Sequence, residues 1–262
     1  MMNRSDILAM FDQEQRKDIE YPTMRREVTP NVVRLVDKSE ICEGMVIFSQ
    51  LDESVAEDTI REQIRYFESL GQDIVWKVYD HDKPADLRNR LQAQGFVFEE
   101  TEALMVLDLN KTPDLLRQPM MKNVHQIKDP EKITDILEIE HQVWNEDFSP
   151  LGGYLREALL NFPDQMSLYI AYVDEQPASA AWIYFPKNSQ FASLWGGASL
   201  SGYRKQGLYT SLLATRAQEA MRRKVKYLTV GASPMSRPIL EKHGFERLDW
   251  IYPCRWACKS RQ

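Results

Sequence analysis

The sequence predicts an α+β fold arranged as two domains, and three observations carry that reading. The chain has 262 residues, long for one compact domain and comfortable for two of roughly 110–150 residues each. Its elements follow an α+β order: helices early, a meander of strands, then β–α–β–α–β. The halves also share a pattern. Ile74-Val75-Trp76-Lys77-Val78, a Pro-started helix and Leu91-Gln92-Ala93-Gln94-Gly95-Phe96 correspond to Tyr227-Leu228-Thr229-Val230, a second Pro-started helix and Leu240-Glu241-Lys242-His243-Gly244-Phe245. A long helix precedes each, which reads as a duplication.

In the first half, Ser5 to about Glu20 fits an amphipathic helix ended by Pro22. Asn31–Asp37 and Gly44–Ser49 are rich in Val and Ile and read as strands. From Glu53 to Leu70, Val55, Ile60, Ile64, Phe67 and Leu70 recur near helical spacing, and Gly71 marks the stop. Asp73–Tyr79 reads as a strand, Pro84 starts a helix that Gly95 ends, and Phe96–Leu109 gives one or two strands. Lys111–Pro119 holds two prolines and has no periodicity, so it marks the linker. The expected limits are 1–110 for the first domain, 111–121 for the linker and 122–262 for the second domain.

The second half begins with a short strand, Asn123–Ile127, and a helix from about Pro130 to Asn145. Gly152-Gly153 is read as a break before a second helix, Tyr154–Asn161. Strands follow at Ser167–Val173, Ala178–Phe185 and Phe191–Ala198. A long helix spans about Gln206–Lys224, with Leu208, Leu212, Leu213, Ala217, Ala220 and Met221 on its apolar side. Tyr227–Val230 is a strand, Pro234–His243 a helix ended by Gly244, and a final pair of strands reaches Trp256.

Composition narrows the function classes. The mixture is ordinary for a globular chain, 43% apolar and 27% charged, with a net charge of −6. That charge disfavours general nucleic-acid binding, and Met221-Arg222-Arg223-Lys224-Val225-Lys226 reads as a solvated helix end. Cys42, Cys254 and Cys258 match no zinc pattern and read as free thiols, so no metal is expected. The first twenty residues lack the apolar core of a signal peptide, and Ala180–Phe185, among the longest apolar runs, is too short to span a bilayer. The expected location is the cytoplasm, and nothing points to a nucleic acid, a membrane or a particular oligomeric state.

One turn carries chemistry. Trp195-Gly196-Gly197-Ala198-Ser199-Leu200-Ser201-Gly202-Tyr203-Arg204-Lys205-Gln206-Gly207-Leu208-Tyr209-Thr210 runs from a strand through a small, basic turn into a helix. The first amides of a helix lack intrahelical partners and the helix dipole adds positive charge, so phosphate oxygens suit the concavity. Gly207 lets the backbone approach a ligand closely. The spacing is neither a Walker loop nor G-x-G-x-x-G, so nucleotide triphosphatase and dinucleotide oxidoreductase readings lack support.

Tyr203-Arg204-Lys205-Gln206-Gly207-Leu208-Tyr209-Thr210 resembles the acyl-CoA pyrophosphate loop of GNAT (GCN5-related N-acetyltransferase) enzymes, whose pattern is Arg/Gln-x-x-Gly-x-Gly/Ala. Arg204 and Gly207 fit the first and fourth positions; Tyr209 stands where Gly or Ala is usual. Ile239-Leu240-Glu241-Lys242-His243-Gly244-Phe245 resembles the later GNAT segment Leu-Tyr-Glu-Lys-Leu-Gly-Phe. The resemblance implies two GNAT-like domains, each a mixed, mostly antiparallel sheet flanked by helices, the first a degenerate copy. It implies acetyl-CoA as co-substrate and direct acyl transfer to an amine of a small molecule or peptide. The pantetheine arm would pair with backbone near Ala198 and Ser199, and the pyrophosphate would meet Arg204 and the amides of Gln206, Gly207, Tyr209 and Thr210. The family's general-acid Tyr is replaced by Leu240, leaving Tyr209, Tyr184, water or an unprotonated thiolate. A non-catalytic acyl-CoA sensor and a ligand-free structural module are the other readings. In the first half the matching turn places Asp52 and Glu53 where phosphates would sit, so that half is expected to bind no acyl-CoA.

The acceptor side is read from helical geometry. Ile133, Ile136, Leu137 and Trp144 form one apolar stripe, and Glu140 falls within it. A carboxylate facing a core is expensive unless it is paired or opens on a cleft. Glu140 therefore sits at the stripe's end, or pairs with an Arg, Lys or backbone N–H, or lines the acceptor cleft, where it could hold the cationic amine or accept its proton as general base, with His141 as the neighbouring alternative.

Overall fold

Apolar runs of strand and helix spacing build two units. The computed structural model describes residues 3–38, 42–118 and 123–258. One unit comprises the described residues up to Met105, Gly231–Ile239 and those from Arg247 onward; the other comprises the described residues of Val106–Val230 and Leu240–Glu246.

Helix α1 (Arg4–Phe11) starts at Asn3, whose side chain accepts from the Asp6 amide in a capping box. It continues as a π-helical stretch, Asp12–Lys17, where the spacing alone predicts plain helix. Strands β1 (Met24–Val28), β2 (Val32–Asp37) and β3 (Glu43–Ser49) form an antiparallel meander. Helix α2 (Ala56–Leu70) ends at Gly71 in the left-handed conformation and leads to β4 (Asp73–Tyr79), parallel to β3. Then come α3 (Leu87–Ala93), β5 (Val97–Phe98) and β6 (Glu102–Asp108).

The stretch expected to be a linker carries two 3-10 turns, Leu109–Lys111 and Asp114–Arg117; residues 119–121 lie outside the described residues. Next are β7 (Val124–Ile127), α4 (Ile133–Trp144) and α5 (Ser149–Asn161). Gly152 and Gly153 lie inside α5 rather than breaking it. A Cβ on Gly152 would stand 2.7 Å from Leu137 Cδ1, so the glycine permits α4 and α5 to approach. Strands β8 (Met166–Val173), β9 (Gln176–Tyr184) and β10 (Phe191–Ser199) form a second antiparallel meander. Helix α6 (Leu208–Arg222) leads to β11 (Tyr227–Ala232), parallel to β10. Helix α7 (Arg237–Lys242) and β12 (Glu246–Trp256) follow, and β12 is one long strand where a pair was expected.

In the first unit the sheet order is β1-β2-β3-β4-β12, with β5 beside β12. Strand β12 runs antiparallel to β4, Ile251 opposite Tyr79 and Trp256 opposite Ile74. Residues 231–239 and 247–258, placed in the second domain by the sequence limits, thus pack in the first unit. Val46, Ile60, Phe67, Trp76, Phe96 and Trp256 share its core. In the second unit the order is β11-β10-β9-β8-β7. Each unit therefore repeats one plan, an antiparallel meander closed by a strand–helix–parallel strand step. Among the described residues no helix is long and apolar enough to cross a membrane, and no cluster of three His, Cys, Asp or Glu is placed to hold a metal ion.

Candidate functional site

Two features of the second unit define the site, the edge of β10 and the start of α6. Strand β10 pairs with β11 only at Phe191, Ala192 and Ser193, whereas its pairing with β9 continues to Ser199. Beyond Ser193 the edge of β10 turned toward β11 is released from the ladder. The β9 register also shifts between Trp195 and Ala198, which is a β-bulge. Gly196 sits in this bulge at φ +68°, and a Cβ there would lie 1.9 Å from Trp182 Cζ3. The indole of Trp182 thus lies against the Gly196 backbone, and the ring of Tyr209 does the same at Gly197, where a Cβ would be 2.8 Å from Tyr209 Cε2.

After β10, a 3-10 turn at Ser201–Tyr203 brings the chain to α6. Gly207 caps α6 at φ +81°, and a Cβ there would meet no protein atom within 4 Å. The first bond into α6 runs from the Ser211 amide to the Gly207 carbonyl at 2.9 Å. The amides of Leu208, Tyr209 and Thr210 are those that a helix start leaves without intrahelical partners. Arg204 and Lys205 stand exposed beside them. The turn therefore offers oriented amides, two cations and open space at its glycine.

Each predicted residue can now be placed. Arg204 donates from Nε to the Ser199 carbonyl at 3.2 Å, tying the turn back to the end of β10. Gln206 donates to the Gly202 carbonyl at 3.4 Å. The Thr210 hydroxyl lies 3.2 Å from His243 Nε2. The Ala198 carbonyl accepts from the Ser179 hydroxyl at 2.6 Å, and Ser199 Oγ is 2.6 Å from that Ser179 hydroxyl oxygen. Leu240 is buried. Tyr184 is fully buried, opposite Ser193, so of the two tyrosines weighed as general acid only Tyr209 meets the bulge.

On α4, Ile133, Ile136 and Ile139 are buried, and Glu140 is buried with them at 3% exposure. Trp144 donates from Nε1 to Glu140 Oε2 at 2.9 Å, while Oε1 is buried with no hydrogen-bond partner. Burial raises the Glu140 carboxyl to about 7, and the Trp144 bond offsets part of that rise. Trp144 itself is 53% exposed, so the apolar stripe ends before it. His141 is exposed and its Nδ1 lies 2.8 Å from the Glu146 carbonyl, closing the turn after α4; it does not join Glu140.

Two residues near the turn escape the sequence reading. Arg216 is buried on α6 and donates to the carbonyls of Leu212, Trp182 and Trp195, at 3.1, 3.2 and 3.2 Å. It thereby holds the strand pair on which the bulge begins. Burial lowers it to about 10. Its signal is the one that marks Glu140: Arg216 interrupts the Leu212, Leu213, Ala217, Ala220 stripe. His243 is buried at Thr210, its Nδ1 without a partner, and burial with the neighbouring Lys242 lowers its pKa. It stands where the resembled segment has Leu.

No family model matches the chain, and no curated protein matches it in sequence. Solved structures do. A GCN5-related N-acetyltransferase from Kribbella flavida superposes with a TM-score of 0.70 at 14% identity, over 97% of this chain and 96% of that one. A tandem GNAT protein from the clavulanic acid biosynthesis pathway gives 0.62 at 10% identity, over 92% and 85%. A GCN5-related N-acetyltransferase from Sphaerobacter thermophilus gives 0.55 at 9% identity, over 88% and 81%. The chain has the GNAT fold in tandem.

Proposed function

We propose that the second unit binds acetyl-CoA and transfers its acetyl group to an amine of a small molecule or peptide. The observation that carries this reading is the pairing, in one unit, of a released β10 edge with an amide-rich α6 start. The first suits the linear amides of pantetheine, the second a pyrophosphate. The open space at Gly207 fits close approach of the ligand. The candidate contacts are Arg204, Gln206, Gly207, Tyr209 and Thr210 for the pyrophosphate, and the Ala198–Ser199 backbone for pantetheine.

In this reading Glu140, raised to about 7, takes a proton from the acceptor ammonium, directly or through water. The free amine attacks the thioester carbonyl; the C–N bond forms as the C–S bond breaks, and the second proton of the attacking nitrogen passes to the departing sulfur or to water, so that the products are the amide and CoA. Backbone amides at the Gly196–Ala198 bulge are the candidate donors to the developing oxyanion. Burial raises the Tyr209 phenol, so complete proton transfer from it to a thiolate is uphill and its hydroxyl serves as a hydrogen-bond donor.

The buried Leu240, standing where the family has Tyr, favours the second reading, a non-catalytic acyl-CoA sensor. Calorimetry with acetyl-CoA on wild type and Gly207→Val tests the binding site. Affinity is expected to fall at least about tenfold, a loss of roughly 1.4 kcal/mol, in a folded variant; unchanged affinity removes the proposed site. Single-turnover thiol release with an amine panel then separates enzyme from sensor. Glu140→Gln is expected to slow that release about a hundredfold at unchanged acetyl-CoA affinity.

A further inference from the structure

The first unit repeats the plan of the second, so it has its own counterpart of each site feature. Its parallel pair is β3 and β4, which are in register from Glu43 opposite Asp73 to Val46 opposite Trp76. Ile47, Phe48 and Ser49 continue β3, and Lys77, Val78 and Tyr79 continue β4, beyond that register. This is the splay that corresponds to the released edge of β10.

The splay holds a side chain of the chain itself. Arg16, from the π-helical stretch after α1, is 0% exposed. Its Nε donates to the Ile47 carbonyl at 3.0 Å, the first β3 residue past the paired register. Its guanidinium lies 4.0 Å from the Tyr79 ring centroid and 5.1 Å from that of Phe48. Asp82 takes two bonds from Nη2, at 2.7 and 2.9 Å, and also accepts the Tyr79 amide at 2.9 Å. Asp12 accepts from Nη1 at 2.8 Å. His81 bonds Asp12 at 2.8 Å and Asp249 at 2.5 Å. Burial works against the His81 charge, but these carboxylates outweigh it and raise His81 to about 9, so the imidazole is cationic at neutral pH.

The turn that leads into α2 holds a carboxylate as well. Asp52 Oδ1 accepts the Ser54 amide at 2.8 Å, the Val55 amide at 3.2 Å and the Ser54 hydroxyl at 2.5 Å. A carboxylate of the protein thus occupies the amides ahead of α2 that would otherwise face an anion.

We infer that the first unit is a self-occupied acyl-CoA fold, in which Arg16 fills the groove for a linear amide chain and Asp52 fills the anion position. Both replacements come from side chains, one cationic with a long stem hydrogen-bonded to a strand carbonyl, one anionic at a helix start. The groove beneath Arg16 is a latent site for a pantetheine-like chain, closed by the segment Arg4–Lys17. The inference rests on the repeated fold and not on catalysis by the second unit.

Hydrogen–deuterium exchange of the full chain reads both units separately, with Gly207→Val silencing the second site. The probe is pantetheine, which lacks the phosphates that Asp52 displaces. In that background, pantetheine is expected to leave β3 and β4 exchange unchanged while Arg16 is present. In Arg16→Gly/Asp82→Asn, which removes the stem and neutralises its buried partner, saturating pantetheine is expected to slow Ile47–Ser49 exchange at least about tenfold. Protection of β3 and β4 with Arg16 in place overturns the inference, because the groove would then be open. A folded double variant blind to pantetheine overturns it too, because Arg16 would then not be what closes the groove. If the double variant is too destabilised for exchange to be read, n-propylguanidine, the missing side chain supplied as a free molecule, is expected to raise its Tm. Failure of both n-propylguanidine and pantetheine to do so counts against the inference.

Discussion

Replacing Glu140 by Gln is expected to change stability with a pH dependence whose size follows from the structure. Glu140 is buried and has one partner, the Trp144 indole, so its carboxyl is raised from 4.5 to about 7 in the folded state. Between those values the folded chain holds a proton that the unfolded chain has released. Its contribution is therefore fully present below 4.5 and declines as pH rises through the window, levelling off above 7. At roughly 1.4 kcal/mol per pH unit, the wild type loses about 3 kcal/mol across the window; the Glu140→Gln variant, whose amide does not titrate, has no such slope. The stability difference between variant and wild type should accordingly grow by about 3 kcal/mol from about pH 4.5 to about pH 8, while other titrating groups cancel. Hydrogen exchange of α4 and β9 amides measures it without assuming that both units unfold together. A difference that stays constant with pH would show that Glu140 titrates as an ordinary surface carboxylate. It would then have no raised proton affinity to offer as a base.

Two further outcomes follow from the same region. Trp144→Phe removes the N–H that favours the ionised carboxylate, so the acid limb of kcat/KM should move up by about one pH unit, and an unmoved limb would separate Trp144 from the base. Gly196→Ala meets Trp182 at 1.9 Å as well as a positive φ and should destabilise the second unit by about 3 kcal/mol or more; Gly207→Ala, with open space at its Cβ, should cost only about 1 kcal/mol, and thermal melts that rank the two alike would refute the close contact.

Local chemistry made much of the molecule legible. Strand β4 spans the residues that its Val and Ile spacing predicts, and α2 stops at the predicted Gly71. Strand β1, Met-Arg-Arg-Glu-Val, shows no apolar alternation because it is an edge strand, where charge is common. Gly152-Gly153 looks like a break until Leu137, fifteen places earlier in the chain, is seen to require it. The spacing around β12 predicts extended chain, read as a pair of strands, but not its partner, since nothing local specifies β4. The burial of Glu140 was legible as a charge inside an apolar stripe. Arg216 obeys the same rule on α6. Arg16 does not, because it lies in a segment charged throughout and its burial depends on Asp82, far along the chain.

The pairing of β12 with β4 also sets an order of events during synthesis. Tyr252 and Asp80, bonded at 3.0 Å, are 172 residues apart. At a translation rate of roughly 5–20 residues per second, β4 leaves the ribosome on the order of ten to thirty seconds before the strand that covers its edge. For that interval Ile74, Trp76 and Val78 belong to a sheet with an open flank, the kind of surface on which nascent chains stick to one another. The half that is made first is therefore the half that is finished last. A chain stopped short of residue 246 would leave the early half without the strand that pairs with β4.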